Sequence, residues 1–338
     1  MIDLLVAGGG PAGLATAIHG ALAGLRVVVV EPRSAPVDKA CGEGLMPAGV
    51  AALGGLGIAP AGHPLAGIRY VDARHAVDAR FRAGPGLGVR RTTLHGALYE
   101  RALGLGVEQV VGRVAEVRQD ADAVSAAGLR ARWLVAADGL HSPVRAALGP
   151  AARTDRRERR YGLRRHYAIA PWTDFVEVHW SPRGEAYVTP VGPDLVGVAV
   201  LGPRGRPYDE HLAAFPALRA RLVDAPAGPV RGAGPLRQRV RTRVAGRVLL
   251  VGDAAGYTDA LTGEGIALAL ASARALVEAR VAGRPERYEA AWRRLSRRHR
   301  VLTEALLIAR GHPGTARLIV PAAHRLPGVF GTIVNALS

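Results

Sequence analysis

IDLLVAGGGPAGLATAIHGALAGLRVVVVE, residues 2–31, sets the architecture. Its first six residues are a short apolar run that ends at glycine, the mark of a buried strand. LATAIHGALAGL then places apolar residues at helical spacing, and RVVVVE is a second strand rich in β-branched residues. Strand, glycine-rich turn, helix and strand in succession form a βαβ unit.

Within the turn, Gly8-Gly9-Gly10-Pro11-Ala12-Gly13 fits G-x-G-x-x-G directly after the strand and directly before the helix. Gly8 permits the tight turn, Gly10 lets the backbone beside Ala12 approach a pyrophosphate, and Gly13 allows close helix packing. The helix N-terminus then faces the anion. Glu31 closes the second strand, where a carboxylate accepts from adenosine ribose hydroxyls, and Arg33 belongs to the same set. An acid at this position disfavours a 2′-phosphate, so the motif expects FAD or NAD rather than NADP.

Working outward, residues 34–66 are rich in proline and glycine, with a helix expected near 47–57. Short β pieces are expected at Ile68–Val71 and Ala79–Phe81, a helix from Thr92 to Gly106, and strands near 108–118 and 132–137. From about 158 to 231 the pattern turns strand-rich, through Phe175–Trp180, Ala186–Val191 and Leu195–Leu201. A strongly apolar strand follows at Arg247–Val251, then a long helix over Gly265–Val281 and a helical tail from Arg287.

The chain has 338 residues, 49% hydrophobic and 22% charged, which fits neither disorder nor a fibre. Its length suggests two domains. Cys41 is the only cysteine, so there is no disulfide framework and no multi-cysteine metal site, and a reducing cytoplasm is expected. No stretch of about 20 uninterrupted apolar residues occurs. The net charge is +17, but Lys39 is the only lysine among 45 basic residues. The arginine runs 153–165 and 293–300 lack the interleaved aromatics of a single-strand binder. They read as solvated or cofactor-facing charge, not as a nucleic-acid surface. No histidine metal motif or Ser/His/Asp pattern stands out; His19, His95 and His141 read as helix-surface or loop residues.

Two later motifs narrow the cofactor. WLVAADGLHSPVR (133–145) places Asp138-Gly139 after an apolar strand, followed by Ser142 and Arg145, and VLLVGDAAGYTDALTGEGI (248–266) places Gly252-Asp253 likewise. With the first motif they resemble the flavoprotein hydroxylase superfamily typified by para-hydroxybenzoate hydroxylase, which also includes geranylgeranyl reductases and flavin-dependent halogenases. The resemblance covers about residues 1–150 and 235–300. It implies that Gly252 and Asp253 meet the ribityl chain and pyrophosphate of FAD. Asp138 and Gly139 would serve FAD and a visiting nicotinamide cofactor. Arg91, in the register R-x-x-L-x-x-x-L with Leu94 and Leu98, would contact the FAD diphosphate, and Val114 the adenine. Gly263, Gly265 and Ile266 open a helix whose N-terminus can face the flavin pyrimidine ring.

Three chemistries occur in that superfamily. The tryptophan-halogenase pattern W-x-W-x-I-P is absent. The loop Cys41-Gly42-Glu43-Gly44-Leu45 looks most like the reductase branch, whereas Asp138 to Arg145 matches the hydroxylases. The leading expectation is an NAD(P)H-dependent monooxygenase acting on a phenolic, quinone or polyketide-type substrate. The alternative is C=C reduction of a prenyl or lipidic chain, which needs an acid; Cys41, Glu43 and Tyr187 are the candidates. No second dinucleotide motif follows another strand, so NADPH or NADH would visit transiently, helped by Arg156 to Arg165.

The expected architecture is α/β. A Rossmann-like FAD-binding domain of the glutathione reductase type (1–66, 86–150 and 235–285) interleaves with a β-sheet substrate domain (67–85 and 151–234), ahead of a C-terminal helical segment (286–338). The substrate pocket is expected between Tyr187–Pro190 and Gly263. The expected location is the cytoplasm; the apolar tail is expected to pack over the substrate pocket as a helical lid, the alternative being contact with an anionic membrane through Arg293–Arg300 and the tail.

Overall fold

The computed structural model describes residues 1–149, 152–153, 160–222 and 225–337. In chain order, the elements that shape the site are β1 (Ile2–Ala7), α1 (Pro11–Leu22), β2 (Val27–Glu31), α2 (Pro47–Gly54), β3 (Gly67–Val71), β4 (Ala76–Arg80), α3 (Arg91–Gly104), β5 (Glu108–Val111) and β6 (Leu129–Ala136). They continue with β7 (Arg160–Tyr167), β8 (Phe175–Ser181), β9 (Gly184–Gly192), β10 (Leu195–Pro203), β11 (Val248–Leu250), α4 (Gly265–Val281), α5 (Arg287–Gly311), α6 (Ile319–Arg325) and α7 (Pro327–Leu337).

The first sheet has a parallel core in the order β11-β6-β1-β2-β5, to which Val117–Gln119, Val124–Ala126 and Val244–Ala245 add antiparallel strands. Its middle strands are buried nearly throughout, which is why they read as unbroken apolar runs rather than alternating ones. Helix α1 packs between α3 and α4 over this sheet. Because the core strands are parallel, their C-terminal ends share one edge, and the glycine turn, Asp138 and Gly252 all follow strand ends there. Open α/β sheets collect ligands at that edge.

The second sheet has seven strands, in the order Arg231–Ala233, β7, β10, β9, β8, β3, β4. β7 to β10 are antiparallel neighbours, while β3 joins β8 in parallel. β4 starts at Ala76, earlier than expected, because Asp72 Oδ1 accepts from the N–H groups of both Arg74 and His75 (2.7 Å each) and turns the chain there. A small sheet of Gly44–Leu45, His63–Leu65 and Gly86–Gly88 was not expected at all.

The strand expected over 108–118 is broken. The N–H of Gly112 still reaches the carbonyl of Glu31 (3.2 Å), after which residues 112–116 leave the sheet edge and pairing resumes at Val117. Val114 therefore sits beyond the strand rather than in it. Helix α4 spans the range expected for it. We propose the sequence-based domain division as a working description, because its boundaries at 67 and 85 bracket the β3–β4 hairpin.

Leu134 is fully buried in β6, between β1 and β11. Leu134→Ala is expected to destabilise the chain by about 2–5 kcal/mol through lost burial and a residual cavity, read as a lower urea midpoint. An unchanged midpoint would contradict this packing.

Candidate cofactor and substrate site

A cavity of about 480 Å³ lies at the C-terminal edge of the parallel sheet. Every sequence-predicted cofactor residue except Gly13 lines it: Gly8, Gly10, Ala12, Glu31, Arg33, Arg91, Val114, Asp138, Gly139, Gly252, Asp253, Gly263, Gly265 and Ile266. Cys41, Glu43 and Tyr187 line it too. Gly13 acts from behind, since a Cβ there would stand 1.9 Å from the carbonyl oxygen of Gly8. Gly8 itself has φ +105°, and a Cβ on it would stand 2.5 Å from the carbonyl oxygen of Ala137. Both positions require glycine for the turn to press against α1 and the end of β6.

The end of α1 is prepared for an anion. Gly10 caps it without a side-chain hydrogen bond, leaving the first-turn N–H groups open toward the cavity. Arg91 is 5% exposed, and its Nη1 has no partner. Burial lowers its pKa, yet a guanidinium stays charged, so an unpaired cation faces the cavity beside Gly10. A diphosphate would satisfy both features.

Glu31 is engaged from two sides: the N–H of Gly9 donates to Oε2 (2.8 Å), and the Arg33 side chain donates to Oε1 (2.6 Å). Burial opposes its ionisation, but these donors outweigh burial and hold the carboxyl below its ordinary range. Asp138 accepts from the N–H of Val144 at Oδ2 (3.0 Å), while Oδ1 is buried without a partner, and burial raises its pKa. Asp253 is also raised, by desolvation, against the pull of Lys39 and Arg145.

Arg145 joins the two later motifs. Its Nη1 donates to the carbonyls of Asp253 (3.2 Å) and Ala254 (3.1 Å), and Nη2 to Leu140 O (2.7 Å) and Gln238 Oε1 (3.0 Å).

His95 overturns the helix-surface reading. It is 2% exposed, and its Nε2 lies 2.9 Å from the carbonyl oxygen of Gly9, so it braces the glycine turn from α3. Its place four residues after Arg91, on the same helical face, was the available signal. Glu43 is buried with φ +60°; Oε1 accepts from the N–H of Arg91 (2.8 Å) and Oε2 lies 2.7 Å from His166 Nε2. Arg164 reaches the other ring nitrogen of His166 (3.0 Å) and Asp38 (2.5 Å). Sequence reading missed this chain of partners, since it joins residues more than 120 positions apart. Burial, then Glu43, raises the Cys41 thiol, whose sulfur accepts from the N–H of Glu43 (3.3 Å). Tyr187 donates to the carbonyl of Leu261 (2.9 Å). Of the arginines expected to help a nicotinamide donor, Arg156, Arg157 and Arg159 lie outside the described residues; Arg164 lines the cavity.

Behind Tyr187 lies a second cavity of about 380 Å³ with an almost wholly apolar lining. It draws Ile68, Tyr70 and Val178 from the second sheet, Leu302 and Leu306 from α5, and Phe330 and Val334 from α7. Met46, Val176, Tyr187 and Gly263 border both cavities.

Comparison with known proteins follows this geometry. A family model described as FAD binding domain matches residues 1–182. A menaquinone reductase of Mycolicibacterium smegmatis is 32% identical over 88% of this chain and 80% of its own length. A digeranylgeranylglycerophospholipid reductase of Methanothermobacter thermautotrophicus is 30% identical over 78% of this chain and 73% of its own. Among solved structures, p-nitrophenol 4-monooxygenase of Pseudomonas putida superposes with a TM-score of 0.81 at 20% identity, covering 99% of this chain and 98% of that one; at this identity the likeness is one of fold.

Arg91→Met keeps most of the side-chain volume and removes the unpaired cation. It is expected to weaken FAD binding about tenfold to hundredfold, the range of one hydrogen-bonded charge, measured by titrating FAD into the flavin-free protein. Wild-type affinity in the variant would remove Arg91 from the diphosphate site.

Proposed function

The chain belongs to the FAD binding domain family and is an FAD-dependent oxidoreductase; on that premise we propose that it reduces carbon–carbon double bonds of a prenyl or other lipidic substrate. The observation that carries this reading is the apolar cavity behind Tyr187. Its lining is almost wholly apolar, which suits a hydrocarbon chain better than a polar ring. The two reductase relatives are named for lipid substrates, which points the same way. Hydroxylation, the leading expectation from the motifs, becomes the second reading; it rests on the Asp138–Arg145 motif.

FAD, when bound, supplies two-electron redox chemistry. Arg91 and the α1 N-terminus would hold its diphosphate, Glu31 its ribose, and the N-terminus of α4 would favour negative charge near Gly263. The walls of the apolar cavity keep water from the reacting carbons. Tyr187 directs its hydroxyl to Leu261 and so fixes the loop where the two cavities meet. We assign Glu43, with both oxygens engaged, to anchoring the Cys41 loop. NADPH or NADH is the proposed electron source.

Anaerobic NADPH or NADH is expected to bleach the yellow holoenzyme. A prenylated quinone or polyprenyl lipid then restores the oxidised spectrum, and the product gains two hydrogens by mass spectrometry. Oxygen-dependent insertion into a phenol or quinone, with no polyprenyl reduction, would establish hydroxylation instead.

No helix among the described residues is long and apolar enough to cross a membrane. Leu326, Val329 and Ile333 nevertheless line the apolar cavity while remaining 57%, 53% and 43% exposed, with Arg317 and Arg325 exposed nearby. We propose that this lip rests on an anionic bilayer and admits the substrate from it. Cosedimentation with anionic vesicles is expected for the wild type, and much less for Leu326→Glu combined with Val329→Glu; equal binding would reject the lip.

A further inference from the structure

Reducing an isolated double bond takes a proton as well as a hydride, and the three acids suggested by sequence are poorly placed to give one. Both Glu43 oxygens are engaged, Tyr187 points its proton at Leu261, and the Cys41 sulfur accepts a backbone N–H. Glu264 stands differently. It lies between Gly263 and Gly265 at the N-cap of α4, is 8% exposed, and borders the apolar cavity. Its Oε1 is buried with no partner, in a molecule where buried carboxylate oxygens are usually paired.

The other side of Glu264 leads outward. Oε2 lies 3.3 Å from His299 Nδ1 on α5, and Thr262 Oγ1 lies 3.1 Å both from that nitrogen and from Thr303 Oγ1. His299 in turn borders a third cavity of about 630 Å³, whose rim residues Arg239, Arg241, Arg300 and Glu304 are exposed. Glu264 thus borders the apolar cavity, and the histidine behind it borders a cavity whose rim is exposed.

We propose that Glu264 is the acid that protonates the substrate and that His299 links it to solvent; the inference rests on the reductase reading. The alkene accepts a hydride from the reduced flavin at one carbon, and its π electrons take the Glu264 proton at the other. The flavin is oxidised and the alkene becomes an alkane. The Glu264 carboxylate recovers its proton through the His299 imidazole from water in the arginine-rimmed cavity. Burial favours the protonated carboxyl, raising its pKa against the opposing influence of His299 and the more distant Arg298, both on α5.

Two measurements on the FAD-loaded protein test this. The first needs no turnover: infrared spectra of the wild type at neutral pH should carry the carbonyl band of a protonated carboxyl that Glu264→Gln lacks. Identical spectra would overturn the proposal. The second follows the half-reactions separately. Glu264→Gln should slow reoxidation by the polyprenyl acceptor about hundredfold or more, the usual worth of a general acid, while bleaching by dithionite proceeds at the wild-type rate. His299→Gln should slow the same step and recover with added imidazole, a readout independent of whether Glu264→Gln holds flavin. A wild type that no polyprenyl acceptor reoxidises would overturn the reductase reading, and this proposal with it. A wild type that turns over, with both variants equally fast, would overturn the role of Glu264 alone.

Discussion

The guanidinium of Arg145 is the tie on which the cleft depends. Two loops leave the ends of neighbouring parallel strands, one carrying Asp138 and the other Asp253, and nothing in the sheet ladder fixes their separation beyond the last paired residues. Arg145 donates to three carbonyls in those loops and to Gln238, which converts two independent strand ends into one rigid floor. A planar fork with five donors suits this, and a lysine would satisfy far fewer of those acceptors. With the floor set, α1 can press its uncapped end against the cavity and Arg91 can close over it.

Legibility in the sequence followed distance along the chain. β1, α1 and β2 were plain because the strand pattern, the glycine spacing and Glu31 all lie within thirty residues and each constrains the next. Helix α4 was plain because seventeen residues of uninterrupted helical pattern follow a glycine stop. The failures were nonlocal. Glu43 stayed open between an acid and an acceptor of backbone amides because its partners, His166 and the Arg91 amide, arrive from a different sheet and a different helix. His95 looked like a surface residue because helical periodicity says which face a side chain is on, but not that the glycine turn packs against that face. Val114 was placed in a strand because the apolar pattern of 107–117 says nothing about where a sheet edge runs out of partners.

The substrate side was the least readable for the same reason. Its apolar cavity is assembled from β3, β8, β9, α5, α6 and α7, and no stretch of sequence contains enough of it to show a pattern. The motifs therefore identified the cofactor and left the reaction open, while the composition of a wall built from six separated elements supports one chemistry over another.

That wall also divides the chain between two compartments. The residues that bound the cofactor cleft end at Ala269, whereas the outer side of the apolar cavity is made by residues 302 to 337. Helix α5 serves both compartments: Tyr288 and Trp292 at its start are buried in the core under the parallel sheet, while Leu302 and Leu306 further along wall the apolar cavity. Residues 302 to 337, distant in sequence from every cofactor motif, are thus the ones that bound what the apolar compartment can admit.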